Sequence, residues 1–258
     1  MTLLRLADAS GAADLAGYLV RLLRYDRAAV VHLRADGPVL GTFGRVPFGG
    51  GTSGVIALRT GELAESLRVD TTVSAGQLLD ASTRAPADDA GEPPTVTVPP
   101  PVTGPPWTAM LPPRTGWTTL ATLPIAGLVR EVAVAVGRFR GQMEALATEE
   151  RTRAVLDRIA EDVWSKTLGG TPGTHLPLRA AHAAASLGFL GAVDAGAEAT
   201  VLAVGGWLRL DAPYGSVSVR RSGGPSLLLT PGAPGPRGSR GPQNPQSPQS
   251  PHGPGGRG

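Results

Sequence analysis

An α+β fold in two units, with a Pro-rich linker between them and a disordered tail behind, is what this 258-residue sequence predicts. Three observations carry that expectation. Short β-branched and alternating segments crowd residues 28–73 behind one amphipathic helical pattern. Apolar residues recur at three- and four-residue spacing from Leu123 to Trp164. Residues 84–106 and 222–258 are so rich in Pro and Gly that neither can bury a core. The expected organisation is a helix with a small antiparallel sheet over 1–83, a linker over 84–106, a three-helix unit with a C-terminal β-hairpin over 107–221, and a tail over 222–258.

In chain order, Asp14 to Tyr25 places Leu15, Tyr18, Leu19, Leu22 and Leu23 on one helix face. Ala28 to Leu33 reads as a strand, and Asp36-Gly37 as a hairpin turn before Pro38 to Phe43. Val55 to Leu58 and the alternating Leu67 to Val73 give two more strands, the second with one wet face. Ser74 caps a short helix carrying Leu78 and Leu79. Pro99-Pro100-Pro101 and Pro105-Pro106 favour polyproline II structure, a spacer.

The strongest periodicity follows. Ile125, Leu128, Val129, Val132, Val136, Phe139, Met143 and Leu146 share one helix face behind Pro124. Thr148 with Glu149 and Glu150 starts a second helix with Val155, Leu156, Ile159, Val163 and Trp164 on its stripe. This pair is the expected organising centre, with Trp164 buried against Val132, Val136 and Phe139. A third, Ala-rich helix runs from Pro177 to Leu187 and ends at Gly188. Val201–Val204, Trp207–Leu210 and Ser216–Val219 then form β structure around the turn Ala212-Pro213-Tyr214-Gly215.

Composition excludes several classes. There is no Cys, hence no disulfide and no thiolate metal site, and no window is apolar enough to span a membrane. Lys166 is the single lysine against 23 arginines, a bias of GC-rich coding. Residues 1–106 carry net −2, residues 107–221 net +2 and the tail net +3, so the body sums to zero and a broad phosphate-binding surface is not expected. Charges at Arg5, Asp8 and Asp14 interrupt the N-terminus before a leader could form, which gives a cytoplasmic expectation.

The motifs point to few chemistries. Gly49 to Gly54 has dinucleotide-fingerprint spacing, but strand-like Val55 to Leu58 follows where a helix is required, so a loop between strands is expected and no cofactor. His175 and His182 lack a nearby third ligand, so no metal is expected either. No Ser stands in a nucleophile-elbow setting. Four residues remain as candidate binding groups: Arg114, Trp107, Trp117 and His32. Rigid Pro112-Pro113 and a nearby indole hold Arg114 toward an anion, or else Trp107 and Trp117 anchor a structured turn. His32 sits mid-strand, flanked by Asp26 and Asp36.

Two resemblances add to this. Helix, helix, helix and hairpin, with Leu187-Gly188-Phe189-Leu190 before the hairpin, resembles a winged helix, although the second and third helices are about nine residues apart where that family has three or four. Its recognition helix would offer Arg179, His182 and Ser186, and its wing Arg209, Arg220 and Arg221. From Leu22-Leu23-Arg24-Tyr25-Asp26-Arg27 through Leu111-Pro112-Pro113-Arg114 to Ala212-Pro213-Tyr214-Gly215-Ser216-Val217, residues 3–221 resemble an uncharacterised actinobacterial protein family of similar length. That implies a bacterial, cytoplasmic protein and no activity or site residues.

The sequence therefore points to a non-catalytic binding or adaptor protein with a protein partner, no nucleic acid and no membrane. Two alternatives stay open: a DNA-binding regulator using Arg179 and the wing, and a small-molecule enzyme using His32 with Asp26 or Asp36.

Overall fold

The computed structural model describes residues 2–47, 54–84, 93–169, 173–191 and 196–221. The chain divides into a unit of Met1–Gly224 and a unit of Pro225–Gly258. The second unit, and with it the expected disordered tail, lies outside the described residues, as does the glycine loop of residues 49–54 apart from Gly54.

Among the described residues the first unit is α+β, with five α-helices and one large antiparallel sheet. The strands are β1 (Leu3–Arg5), β2 (Val30–Val46), β3 (Val55–Ser74), β4 (Thr95–Thr97), β5 (Thr118–Pro124), β6 (Glu198–Val204), β7 (Trp207–Ala212) and β8 (Gly215–Arg220). The helices are α1 (Ala9–Leu23), α2 (Ala75–Arg84), α3 (Ile125–Glu144), α4 (Arg153–Trp164) and α5 (Leu178–Ser186). Six strands run in the order β2-β3-β8-β7-β6-β5, and β1 pairs with β4 in a separate two-stranded sheet. Ile56, Ala57 and Leu58 of β3 face Ser218, Val217 and Ser216 of β8. Strands from both ends of the chain thus share one sheet, where the sequence suggested two smaller ones.

Asp36-Gly37 makes no hairpin. β2 runs straight through it, Asp36 paired with Arg68 and Gly37 with Leu67, and the register slips once before Val39 meets Glu62. A two-residue type I′ turn needs positive φ at both residues; here Gly37 alone takes it, at +126°, and Pro38 returns the chain to extended structure. The segments expected as separate strands at 55–58 and 67–73 are both part of β3, which pairs with β2 in two runs, Val55–Glu62 and Leu67–Ser74. Ser74 does cap α2, its Oγ accepting from the Gln77 N–H at 3.4 Å. α1 starts earlier than its apolar pattern, because the Asp8 carboxylate accepts the Gly11 N–H at 2.8 Å and fixes the first turn.

The Pro-rich stretch is more than a spacer. β4 lies within it, Val98 N–H donates to Thr2 C=O at 2.9 Å, and Val102 N–H to Thr72 C=O at 2.9 Å. Pro supplies no donor, so the intervening non-proline residues tie the segment down. A 3₁₀ turn over Pro106–Ala109 follows.

The principal core is the helix-covered face of the sheet, not the helix pair. Leu19 and Leu22 of α1, Leu78 of α2 and Ala180, Ala181 and Ala184 of α5 pack there on Val31, Leu33, Ala57, Val217 and Val219. The Ala-rich composition of α5 lets it approach β3, β7 and β8 closely. α3 and α4 form as expected, α4 capped by Thr152 rather than Thr148. Ile125, Leu128 and Val132 at the start of α3 join the principal core, and Ala135, Val163 and Trp164 are buried in a small separate cluster, while Met143, Leu146, Val155, Leu156 and Ile159 are half-buried. Trp164 meets Phe139 and Val136 as expected, whereas Val132, also expected there, belongs to the principal core; Trp164 also stacks on His182 at 4.2 Å and 11°. Periodicity reported amphipathicity correctly, but it carries no information about how large the facing surface is.

Candidate binding cleft

The other face of the sheet bears a second apolar cluster. Phe43, Ile56 and Trp207 are buried there, and Leu58, Trp107, Leu111, Trp117 and Val204 pack against them. Trp107 and Leu111 belong to the segment that crosses this face, so both indoles singled out in the sequence anchor it. The Trp117 Nε1–H donates to Pro113 C=O at 2.9 Å, which fixes the turn carrying Arg114. Gly116, at φ +84°, lets the chain fold back over that bond. Arg209 lies over Trp117 with its Cζ 5.7 Å from the ring centre, and Arg220 over Trp207 at 4.2 Å.

Beside this cluster an open cleft is lined by His32, Arg34 and Asp70 of the sheet and by Thr108, Leu111, Pro112, Pro113 and Arg114 of the crossing segment. Two of the four candidate residues, His32 and Arg114, therefore meet in one concavity. Trp107 and Trp117 pack in the adjoining apolar cluster. Arg114 is exposed and makes no ion pair among the described residues.

His32 is 8% exposed and held at both nitrogens: Nδ1 lies 3.0 Å from Thr72 Oγ1 and Nε2 3.1 Å from Asp70 Oδ1. A carboxylate only accepts, so Nε2 carries the proton, and Nδ1 accepts from the threonine hydroxyl. Burial holds the imidazole below its ordinary pKa; the Asp70 carboxylate opposes that shift and the Arg34 guanidinium adds to it. Asp70 Oδ2 also lies 3.7 Å from Arg34 Nε.

Neither carboxylate proposed as the partner of His32 is the one found. Asp26 accepts the Ala28 N–H at 2.9 Å and shapes the turn after α1, and Asp36 lies 3.8 Å from Arg68 Nε. Asp70 and Thr72 were visible in the sequence only as the wet face of an alternating strand. His32 stands opposite Thr72 and Arg34 opposite Asp70, a cross-strand register that no local pattern specifies.

The residues of the regulator alternative also lie elsewhere than it requires. Arg179 is 5% exposed, 3.4 Å from Glu161 Oε1, and its helix buries Ala180, Ala181, Ala183 and Ala184 in the core, so α5 offers no recognition face to a DNA groove. Arg209 is paired with Asp211 at 2.8 Å. His182 is covered by Trp164, and burial lowers its pKa to about 4; His175 is exposed at φ +51°. Among the described residues no three His, Asp or Glu side chains gather as a metal set.

Fold and cleft define an α+β protein with a polar, Pro-walled concavity on an open sheet face. Residues 1–109 match the family model described as domain of unknown function DUF8010, and residues 112–224 match domain of unknown function DUF8185. No curated protein sequence matches the chain. Similar solved structures include a DNA polymerase sliding clamp from Caulobacter crescentus, at 13% identity and TM-score 0.42, and DNA polymerase III subunit beta from Pseudomonas aeruginosa, at 13% and 0.41. Each alignment covers 81% of this chain and 63% of the neighbour's chain, so this chain spans less than two thirds of those neighbours. Likeness at that level identifies no function.

Proposed function

We propose that this is a non-catalytic binding protein that takes an acidic segment of a partner protein in the His32–Arg114 cleft. One observation carries the reading: both nitrogens of His32 are engaged inside the protein, while Arg114 on the cleft wall has no carboxylate partner among the described residues. A general base must reach a substrate proton, and this imidazole has no free nitrogen to offer. With His32 neutral and Asp70 engaged by His32 and Arg34, the lining keeps a positive surplus at Arg114. A carboxylate held by that exposed guanidinium gains up to about 1 kcal/mol, and the Pro112-Pro113 wall loses little entropy on binding. A protein partner fits this lining better than nucleic acid does, since the body of the chain is near neutral. No helix among the described residues is long and apolar enough to cross a membrane, which is compatible with the cytoplasmic role we assign.

The test is a titration of the full chain with a short Glu-rich peptide, followed by tryptophan fluorescence, since Trp107 and Trp117 border the cleft. Saturable binding that weakens with salt, and is missing for a Lys-rich peptide, is expected. Equal response to both peptides, or none to either, contradicts the reading.

A further inference from the structure

The His32–Arg114 cleft carries a titratable group on its sheet side, and strand register decides what surrounds that group. His32 of β2 stands opposite Thr72 of β3, and Arg34 opposite Asp70, so a histidine, a hydroxyl, a carboxylate and a guanidinium form one cluster. Arg114 brings the charge of the crossing segment, and among the described residues no further charged side chain lines the cleft. The Phe43 ring, centred 6.4 Å from the imidazole, brings none. With His32 neutral, two guanidiniums and one carboxylate leave the lining a net charge of +1.

This cluster can take up a proton without losing a hydrogen bond. Neutral His32 donates from Nε2 to Asp70 Oδ1 at 3.1 Å and accepts at Nδ1 from Thr72 Oγ1 at 3.0 Å. A proton added at Nδ1 turns that nitrogen into a donor, and the threonine hydroxyl rotates so that its oxygen accepts. The bond from Nε2 then becomes a charge-assisted pair with Asp70. Because Asp70 Oδ2 also lies 3.7 Å from Arg34 Nε, a carboxylate satisfied by imidazolium draws less on that guanidinium. Burial, opposed by Asp70 and assisted by Arg34, holds the imidazole below the ordinary histidine pKa, so in the free protein the proton arrives only in mild acid.

We infer, on the reading of the cleft given above, that His32 is a proton-operated charge switch: its protonation takes the lining from a net +1 to a net +2 and tightens the hold on an acidic segment. The ligand does not have to touch the imidazole. The effect is attraction through space between a largely buried charge, screened less than an exposed one, and carboxylates held at Arg114. Linkage makes it reciprocal: acid strengthens binding of the acidic segment, and the bound segment raises the pKa of His32.

Titration of the full chain with the Glu-rich peptide at pH 7.5 and pH 5, at one ionic strength and with a melt recorded at each pH, tests this. Glu side chains stay mostly ionised at pH 5, since their ordinary pKa is about 4.3. Wild type should bind several-fold more tightly at pH 5. His32→Gln, whose amide keeps a donor for Asp70 but takes up no proton, should show no gain in acid whatever its affinity at pH 7.5. Nitrogen-15 NMR of wild type reads the linkage without a substitution. Saturating peptide should raise the His32 pKa by about 0.5 to 1, the equal of a roughly three- to tenfold difference in affinity between the two protonation states. Binding that stays flat or weakens at pH 5, an equal acid gain in His32→Gln, or a His32 pKa unmoved by saturating peptide would overturn the switch while leaving the cleft reading intact. No binding at either pH would overturn both.

Discussion

Replacing Trp164 by Ala tests the packing of the helix pair and, through it, a buried histidine. Trp164 is 6% exposed, packs with Ala135, Val163 and Leu178, and covers His182 in a near-parallel stack at 4.2 Å. Truncating a buried Trp costs about 3–5 kcal/mol. Because most of the α3–α4 stripe beyond this cluster is only half-buried and can relax, the lower end applies, about 3 kcal/mol, or a fall in Tm of roughly 6–12 °C for a domain of this size. The penalty should also depend on pH. His182 is held at a pKa of about 4 in the folded chain against 6.5 for the free side chain, so the unfolded chain takes up a proton that the folded one refuses. That contribution leaves stability untouched above about pH 6.5, and removes up to about 1.4 kcal/mol per pH unit as pH falls from there toward 4. Taking the indole away hydrates the imidazole and raises its folded pKa. The variant should therefore lose less on acidification than wild type, and its deficit should shrink between pH 7.5 and pH 5. Guanidinium unfolding at the two pH values measures both effects. An unchanged midpoint at pH 7.5 would refute the burial, and a deficit that grows in acid would refute the linkage.

Three further outcomes follow from the geometry. Nitrogen-15 NMR of His32 should show a neutral Nε2–H tautomer at pH 7 and a pKa below the ordinary histidine value; an Nδ1–H tautomer or a raised pKa would contradict its hydrogen bonding. Arg179→Met should leave stability unchanged or raise it, because among the described residues the buried guanidinium has a 3.4 Å contact to Glu161 and an Nε without an acceptor; a loss above about 2 kcal/mol in denaturant would show that the pair stabilises the fold. Gly191→Ala should lower stability by more than about 1 kcal/mol, since its Cβ would strike the Tyr214 ring at a φ of +68°; an unchanged melt would mean that the loop is free to move.

Local chemistry made the helices legible. Pro124 before α3, the Ala-rich α5 ending at Gly188, and the cap at Ser74 all lie where the residues suggested. What escaped was non-local. The pairing of Ile56–Leu58 with Ser216–Ser218 joins segments about 160 residues apart and decides that there is one large sheet, yet each strand taken alone reads equally well as part of a small one. Asp36-Gly37 misleads because a turn signal is a local preference, and the pairing of β2 with β3 on both sides of it outweighs it. For the cleft, a guanidinium between Pro-Pro and a Trp and a histidine on a strand line one concavity, a meeting that no sequence pattern specifies. The acidic partner of His32 was misassigned because sequence neighbours Asp26 and Asp36 are nearer along the chain than Asp70, while the β2–β3 register brings Asp70 within hydrogen-bond reach.

The most direct test is to titrate the Glu-rich peptide into the double variant Arg34→Ala/Arg114→Ala beside wild type, with both melts recorded. If the cleft is the docking site, the double variant should bind at least about tenfold more weakly while melting close to wild type, because Arg114 is exposed and Arg34, half-exposed, makes only a 3.7 Å contact with Asp70 that contributes little to the fold. Undiminished binding by a well-folded double variant would place the partner elsewhere on the molecule and contradict the account.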